Sequence, residues 1–108
     1  MADFKEILGN LNQKIEEADP SKMKGVSAVY QFELSGDNGG VFHVPVDDGK
    51  PTVVESEHDS PNITITMAAD DFNDMLDGKL NATSAFMAGK LKVKGDMSLA
   101  MKLQNLLS

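Results

Sequence analysis

The stretch AFMAGKLKVKGDMSLAMKLQNLL, residues 85–107, changes period partway along. From Lys90 to Lys94 the apolar Leu91 and Val93 alternate with three lysines, which is the two-residue period of a half-buried strand. Gly95 and Asp96 close that strand. From Met97 onward apolar residues recur at helical spacing, with Asp96 placed to cap the helix. On a helical wheel Met97, Ala100, Met101 and Gln104 form one strip and Leu99, Leu103, Leu106 and Leu107 another, leaving Lys102 and Asn105 for water. A helix apolar over more than half its circumference needs partners on two sides. Either it is a central core helix, or one strip packs on a sheet while the other lines an apolar cavity.

The rest of the chain supplies the sheet. In residues 26–34, Val26, Ala28, Tyr30, Phe32 and Leu34 alternate with polar residues, broken only by Val29; Phe42, Val44 and Val46 do the same in VFHVPV, and Ile63, Ile65 and Met67 in NITITM. SGDNGG and DDGKP read as turns, TVVES (52–56) as a short third strand, and ESEHDSPN as an acidic loop. Pro45 has no amide hydrogen to donate, so its strand is expected to be peripheral or interrupted. Helical spacing appears at residues 3–18 (Phe4, Ile7, Leu8, Leu11, Ile15), ended by Asp19 and Pro20. It returns in AADDFNDMLDGKL (Phe72, Met75, Leu76), with Gly78 as C-cap, and as a short turn at 82–88. Each strand has one apolar and one polar face, so helices cover one side of the sheet and the other faces solvent. The expected fold is two-layer α+β: a five-stranded, mainly antiparallel or mixed sheet with helices over one face and an apolar cavity between the layers.

Composition removes several function classes. The 108 residues fit one domain, residues 1–108, with no internal repeat or linker. The net charge of −7 is uneven: residues 1–84 carry 6 lysines against 16 acidic residues, whereas residues 85–108 carry 4 lysines against a single aspartate. An acidic chain without arginine is a poor partner for nucleic acid. The absence of cysteine excludes thiolate nucleophiles, disulfides and Cys-based zinc sites. MADFKEIL lacks the basic-then-apolar pattern of a signal peptide, QNLLS is not a peroxisomal address, and no apolar run reaches membrane-spanning length, so a cytoplasmic location is expected.

Nothing in the spacing announces catalysis. His43 is placed on the outward face of its strand and His58 in the acidic loop, so both are expected at the solvated surface in different segments. The acidic loop has neither paired histidines nor the ligand spacing of a calcium loop, and the nine glycines fall at turns rather than in a phosphate-binding motif. No metal, cofactor or catalytic residue is expected. Five methionines, Met67, Met75, Met87, Met97 and Met101, lie in the second half, where flexible thioethers suit a surface that accepts variable apolar shapes.

ITITMAADDFNDMLDGKLNATSAFMAGKLKVKGDMSLAMKLQNLL closely resembles the second half of the sterol carrier protein type 2 domain: a strand ending in a Thr-Met pair, an acidic helix, and a closing GKLKVKGDMSLAMKL block. The first half follows the family's order more weakly, through helix 3–18, the YQFEL strand and the GG and DDGK turns. The resemblance implies a non-enzymatic lipid carrier that sequesters a fatty acid, acyl-CoA, sterol or phospholipid in a tunnel between sheet and helices, lined or lidded by the last helix. QNLLS does not match the family's peroxisomal tripeptide, and a stand-alone domain rather than one fused to a thiolase or dehydrogenase is expected. The residues expected to line the tunnel are Phe32, Ile63, Ile65, Met67, Phe72, Met75, Leu76, Phe86, Met87, Met97, Met101 and Leu106. Lys90, Lys92 and Lys94 are candidates for contact with a lipid head group or an anionic membrane, set against the role of lysines in keeping an edge strand from pairing with other sheets. The expected partners are a lipid ligand and, transiently, a membrane, for a monomer or weak dimer. The alternative is an accessory interaction module that docks on a lipid-metabolising enzyme or self-associates through its last helix, with a filled core.

Overall fold

The computed structural model describes residues 3–107, and the side chains of all of these except Pro20, Asn105, Leu106 and Leu107. Helix α1 (Phe4–Glu17) begins where the Asp3 carboxylate accepts the Glu6 amide at 2.8 Å, and it buries Ile7, Leu8 and Leu11. A 3-10 turn (Pro20–Met23) leads to strands β1 (Ala28–Ser35) and β2 (Gly40–Asp47). Asp48 and Gly49 both take positive φ (49° and 82°), which builds a tight hairpin turn into the two-residue strand β3 (Lys50–Pro51). Strand β4 (Ile63–Ala68) runs straight into α2 (Ala69–Leu76). Helix α3 (Ala82–Met87), strand β5 (Leu91–Gly95) and helix α4 (Met97–Leu107) complete the order.

The sheet is ordered β3-β2-β1-β4-β5, with β1 and β4 parallel and every other pair antiparallel. The architecture is therefore the two-layer α+β fold with a five-stranded mixed sheet. Its third strand, however, is not TVVES. Pairing beyond Pro51 shrinks to a single bridge between His43 and Val54, because Pro45, opposite this segment, offers a carbonyl to Thr52 but no N–H in return.

The outer face of the sheet is not left to solvent either. Two parallel neighbours cannot be joined by a hairpin, so the chain between β3 and β4 must cross a face of the sheet. Residues 52–62 cross the outer one: His43 and Val54 exchange backbone hydrogen bonds, the His58 amide donates to Gln31 Oε1 at 2.7 Å, and Asn62 is bonded to both backbone groups of Val29. Gln31 and His43 are consequently buried, at 4% and 8% exposure. The expectation that His43 and His58 are separate surface residues is corrected. Their rings meet edge-on with centroids 5.2 Å apart, and His43 Nδ1 carries its proton, since it lies 2.6 Å from a carbonyl oxygen, that of Ser56.

The inner face carries the core. Phe32 stacks on Phe42 (centroids 4.9 Å apart, planes 9° apart), Phe72 tilts against both, and Phe4 packs on Phe42. Four of the five phenylalanines are thus spent at one end of the layer, beneath α1 and α2. Toward β4 and β5 the inner face carries mainly aliphatic and thioether side chains instead.

Candidate functional site

The space between β4, β5 and the helices is not filled. An apolar cavity of about 240 Å³ opens there, lined by Phe32, Ile65, Met67, Leu91 and Val93 from the sheet, Phe72 and Met75 from α2, Ala82, Thr83 and Phe86 from α3, and Met97, Ala100, Met101, Leu103 and Gln104 from α4. Strand alternation puts the sheet residues on one face: Ile65 and Met67 are registered beside Phe32 and Leu34 on one side, and opposite Val93 and Leu91 on the other. Helix α4 is held over them by two devices. The Asp96 carboxylate accepts from both the amide (2.9 Å) and hydroxyl (2.7 Å) of Ser98, which draws its pKa below the ordinary carboxylate value. From below, the buried Tyr30 hydroxyl donates to the Leu99 carbonyl at 2.8 Å; burial, reinforced by the Asp96 charge, pushes its pKa up to about 12.

The two strips of α4 divide as one of the two readings of the opening stretch required. Met97, Ala100, Met101 and Gln104 all face the cavity, whereas of the other strip Leu99 packs against the core and Leu103 is buried with one side on the cavity wall. Of the twelve residues expected to line it, eight do so: Phe32, Ile65, Met67, Phe72, Met75, Phe86, Met97 and Met101. Ile63 is on the correct face but one strand period beyond the cavity, beside Tyr30 and Gly95, and is buried in solid core. Leu76 is buried about a quarter-turn around α2 from Met75, away from the space. Met87 points to solvent, 80% exposed. The side chain of Leu106 lies outside the described residues. Lys90, Lys92 and Lys94 are exposed and none of them lines the cavity.

Two polar features had no signal in the sequence. Thr83 Oγ1 donates to Gln104 Oε1 at 2.8 Å, making a polar step in an otherwise apolar wall. Beyond that step lies an adjoining cleft of about 290 Å³, which shares Met75, Ala82 and Gln104 with the cavity and is otherwise lined by Lys14, Gly78, Leu80 and Asn81. Lys14, half-buried on α1, brings a cation to this adjoining cleft. Both spaces are small beside the ~300–1,000 Å³ usual for small-molecule sites, but they adjoin. Among the described residues no titratable side chain lines the cavity, and the two histidines are on the opposite face of the sheet. No cluster of three or more metal-ligating side chains occurs among the described residues.

A sheet, a covering of short helices and an apolar cavity between them define a domain built to enclose an apolar ligand. Residues 4–108 match the SCP-2 sterol transfer family, and the chain belongs to that family. It is 44% identical over 87 residues (80% of this chain) to hydroxysteroid dehydrogenase-like protein 2 of Bos taurus, and 41% identical over 106 residues (95%) to human sterol carrier protein 2. It spans about a fifth of the length of these relatives, 21% and 19% respectively. Its fold is similar to that of Sterol Carrier Protein-2 from Aedes aegypti in complex with the C16 fatty acid palmitate, with a TM-score of 0.74, 24% identity, and coverage of 100% of this chain and 96% of that one.

Proposed function

We propose that the chain binds a single-chain lipid non-covalently between the sheet and α4 and carries or presents it without transforming it. The observation that carries this reading is the cavity lining: apolar but for Thr83 and Gln104, rich in methionine, and, among the described residues, without an acid or a base that could act on a ligand or activate the Thr83 hydroxyl, which is bonded to Gln104. Each methylene withdrawn from water is worth about 0.8 kcal/mol, so an acyl chain offers on the order of 10 kcal/mol before the costs of ordering are met. A volume of this order suits one acyl chain better than a two-chain phospholipid. The Aedes relative was solved with such a chain, palmitate.

The polar end of the ligand is assigned to the Lys14 cleft rather than to Lys90, Lys92 and Lys94, because Lys14 is the charged side chain lining the combined space. Fatty acids and acyl-CoA, which bear an anionic group, are therefore preferred over sterols. Among the described residues no helix is long and apolar enough to cross a membrane. The interaction-module alternative requires a filled core, and the cavity speaks against it.

Native mass spectrometry of the protein as purified, followed by organic extraction, tests the reading. A fatty acid or acyl-CoA at near-stoichiometric occupancy is the expected result. An apo mass that stays unchanged on adding a fatty acid would overturn it.

A further inference from the structure

A methionine thioether is flexible enough to fill an irregular apolar wall and nucleophilic enough to be oxidised, so its position decides which property matters. The chain has seven methionines and no cysteine, so thioethers are its only sulfur groups. Six of the seven lie among the described residues, in two groups of three. Met23, Met67 and Met75 are buried, at 5% exposure or less, whereas Met87, Met97 and Met101 are exposed at 80%, 49% and 69%.

The cavity divides the same six a second time. Met67, Met75, Met97 and Met101 line it, and Met23 and Met87 do not. Among the described methionines, only Met97 and Met101 are both exposed and part of the lining, so with Phe86 they form the cavity mouth. They stand four residues apart on α4, which puts them on one face of the helix in successive turns. An oxidant arriving from water meets these two sulfurs before it can reach Met67 and Met75, buried in the same wall.

We propose that Met97 and Met101 are modification sites through which peroxide controls lipid retention: sulfoxides at the mouth lower affinity for an apolar chain, and a bound chain shields the same two sulfurs from oxidation. The proposal rests on the lipid-binding reading and adds the regulation of that site. In the chemical step a sulfur lone pair attacks one oxygen of hydrogen peroxide and the O–O bond breaks. The sulfur is oxidised to the sulfoxide, and the departing hydroxide takes the proton of the transferred oxygen and leaves as water. The sulfoxide is polar, and an acyl chain seated against it would strip its water without offering a hydrogen bond in return. Met87 is the contrasting case. It is the most exposed of the six but lies outside the lining, so its oxidation is without consequence for binding.

The test is hydrogen peroxide treatment of the delipidated full chain, with and without palmitic acid, read by mass-spectrometric peptide mapping, and a palmitic acid titration before and after treatment. Met87, Met97 and Met101 should gain oxygen well before Met23, Met67 and Met75, and palmitic acid should slow the reaction at Met97 and Met101 but not at Met87. The oxidised chain should bind palmitic acid about tenfold more weakly. The double variant Met97→Leu, Met101→Leu keeps the wall apolar without its sulfur, and should bind alike before and after peroxide. Met87→Leu should lose affinity on oxidation as the parent does. Methionine sulfoxide reductases should restore the oxidised parent, with dithiothreitol oxidised to its disulfide as the oxygen leaves as water. An oxidised parent that binds as before, a double variant that loses affinity as the parent does, or equal shielding of Met87 would each overturn the proposal. The titration of the untreated chain separates these outcomes from failure of the lipid-binding reading: an untreated chain that binds no palmitic acid overturns that reading and this proposal with it, whereas binding that oxidation leaves unchanged overturns this proposal alone.

Discussion

Tyr30 sits beneath α4 with no exposed surface, its hydroxyl on the Leu99 carbonyl. Its pKa stands at about 12, against an ordinary 10, because burial penalises the phenolate and Asp96 repels it. The unfolded chain therefore releases this proton at lower pH than the folded one. The stabilisation is complete below pH 10 and is lost as pH rises towards 12, an upper bound of about 2–3 kcal/mol. Tyr30→Phe should cost about 1 kcal/mol at neutral pH by deleting the hydrogen bond and should flatten the decline between pH 10 and 12; urea midpoints of both proteins across that range check it. Lys14 carries a second expectation. Lys14→Ala should weaken binding of a fatty acid by about tenfold and leave that of the matching fatty alcohol nearly unchanged, since a half-buried charge pair is worth roughly 1–2 kcal/mol. Equal losses for acid and alcohol in a displacement titration would remove the head group from the Lys14 cleft.

At the level of elements, α4 is the part that distinguishes a cavity from a packed core. Ala100 faces the open space, so Ala100→Phe should put a ring where a ligand would lie. We expect fatty-acid affinity to fall at least tenfold while the melting temperature of the apo protein stays the same or rises. In a filled core the same substitution would overpack and cost about 1–3 kcal/mol, so a lowered melting temperature would argue against the cavity. Helix α4 was also the most legible element in the sequence. Its two strips, its Asp96 cap and the alternating strand before it are all local patterns, and so are β1, β2, β4 and α2. The elements that were misread depend on contacts distant in sequence. TVVES has strand composition, but the lack of a donor at Pro45, across the sheet, confines the pairing to Lys50–Pro51 and one bridge. Likewise alternation placed His43 on the outer face correctly, and only the path of the 52–62 crossover buries it beside His58. For the site, alternation says which layer a residue faces but not how far along the strand the void extends, which is why Ile63 was grouped with Ile65. Lys14 falls on the polar side of α1 by its period, and no local pattern tells that a neighbouring loop, with Leu80 and Asn81, turns that position into a cleft.

For the whole molecule, an unfilled space has a thermodynamic consequence. At about 24 cal/mol per Å³, a void of 240 Å³ would cost up to about 6 kcal/mol if it were sealed and empty. That is comparable with the entire stability of a domain this size, roughly 5–15 kcal/mol. Exposure of Phe86, Met97 and Met101 at the mouth lets water relieve part of the cost, and a bound acyl chain would relieve more. Binding to the folded state alone stabilises by RT ln(1 + [L]/Kd), about 2.7 kcal/mol at a hundredfold excess over Kd. For a domain of about 100 residues this corresponds to a rise in melting temperature of about 10 °C or more. Calorimetry of delipidated protein with and without a long-chain fatty acid should show that rise, growing with ligand concentration and absent in Ala100→Phe. The variant is what gives the measurement its meaning. A fatty acid that merely coats the exposed methionines would stabilise parent and variant alike, or unfold both, whereas a ligand held between sheet and α4 competes for the volume that the new ring occupies.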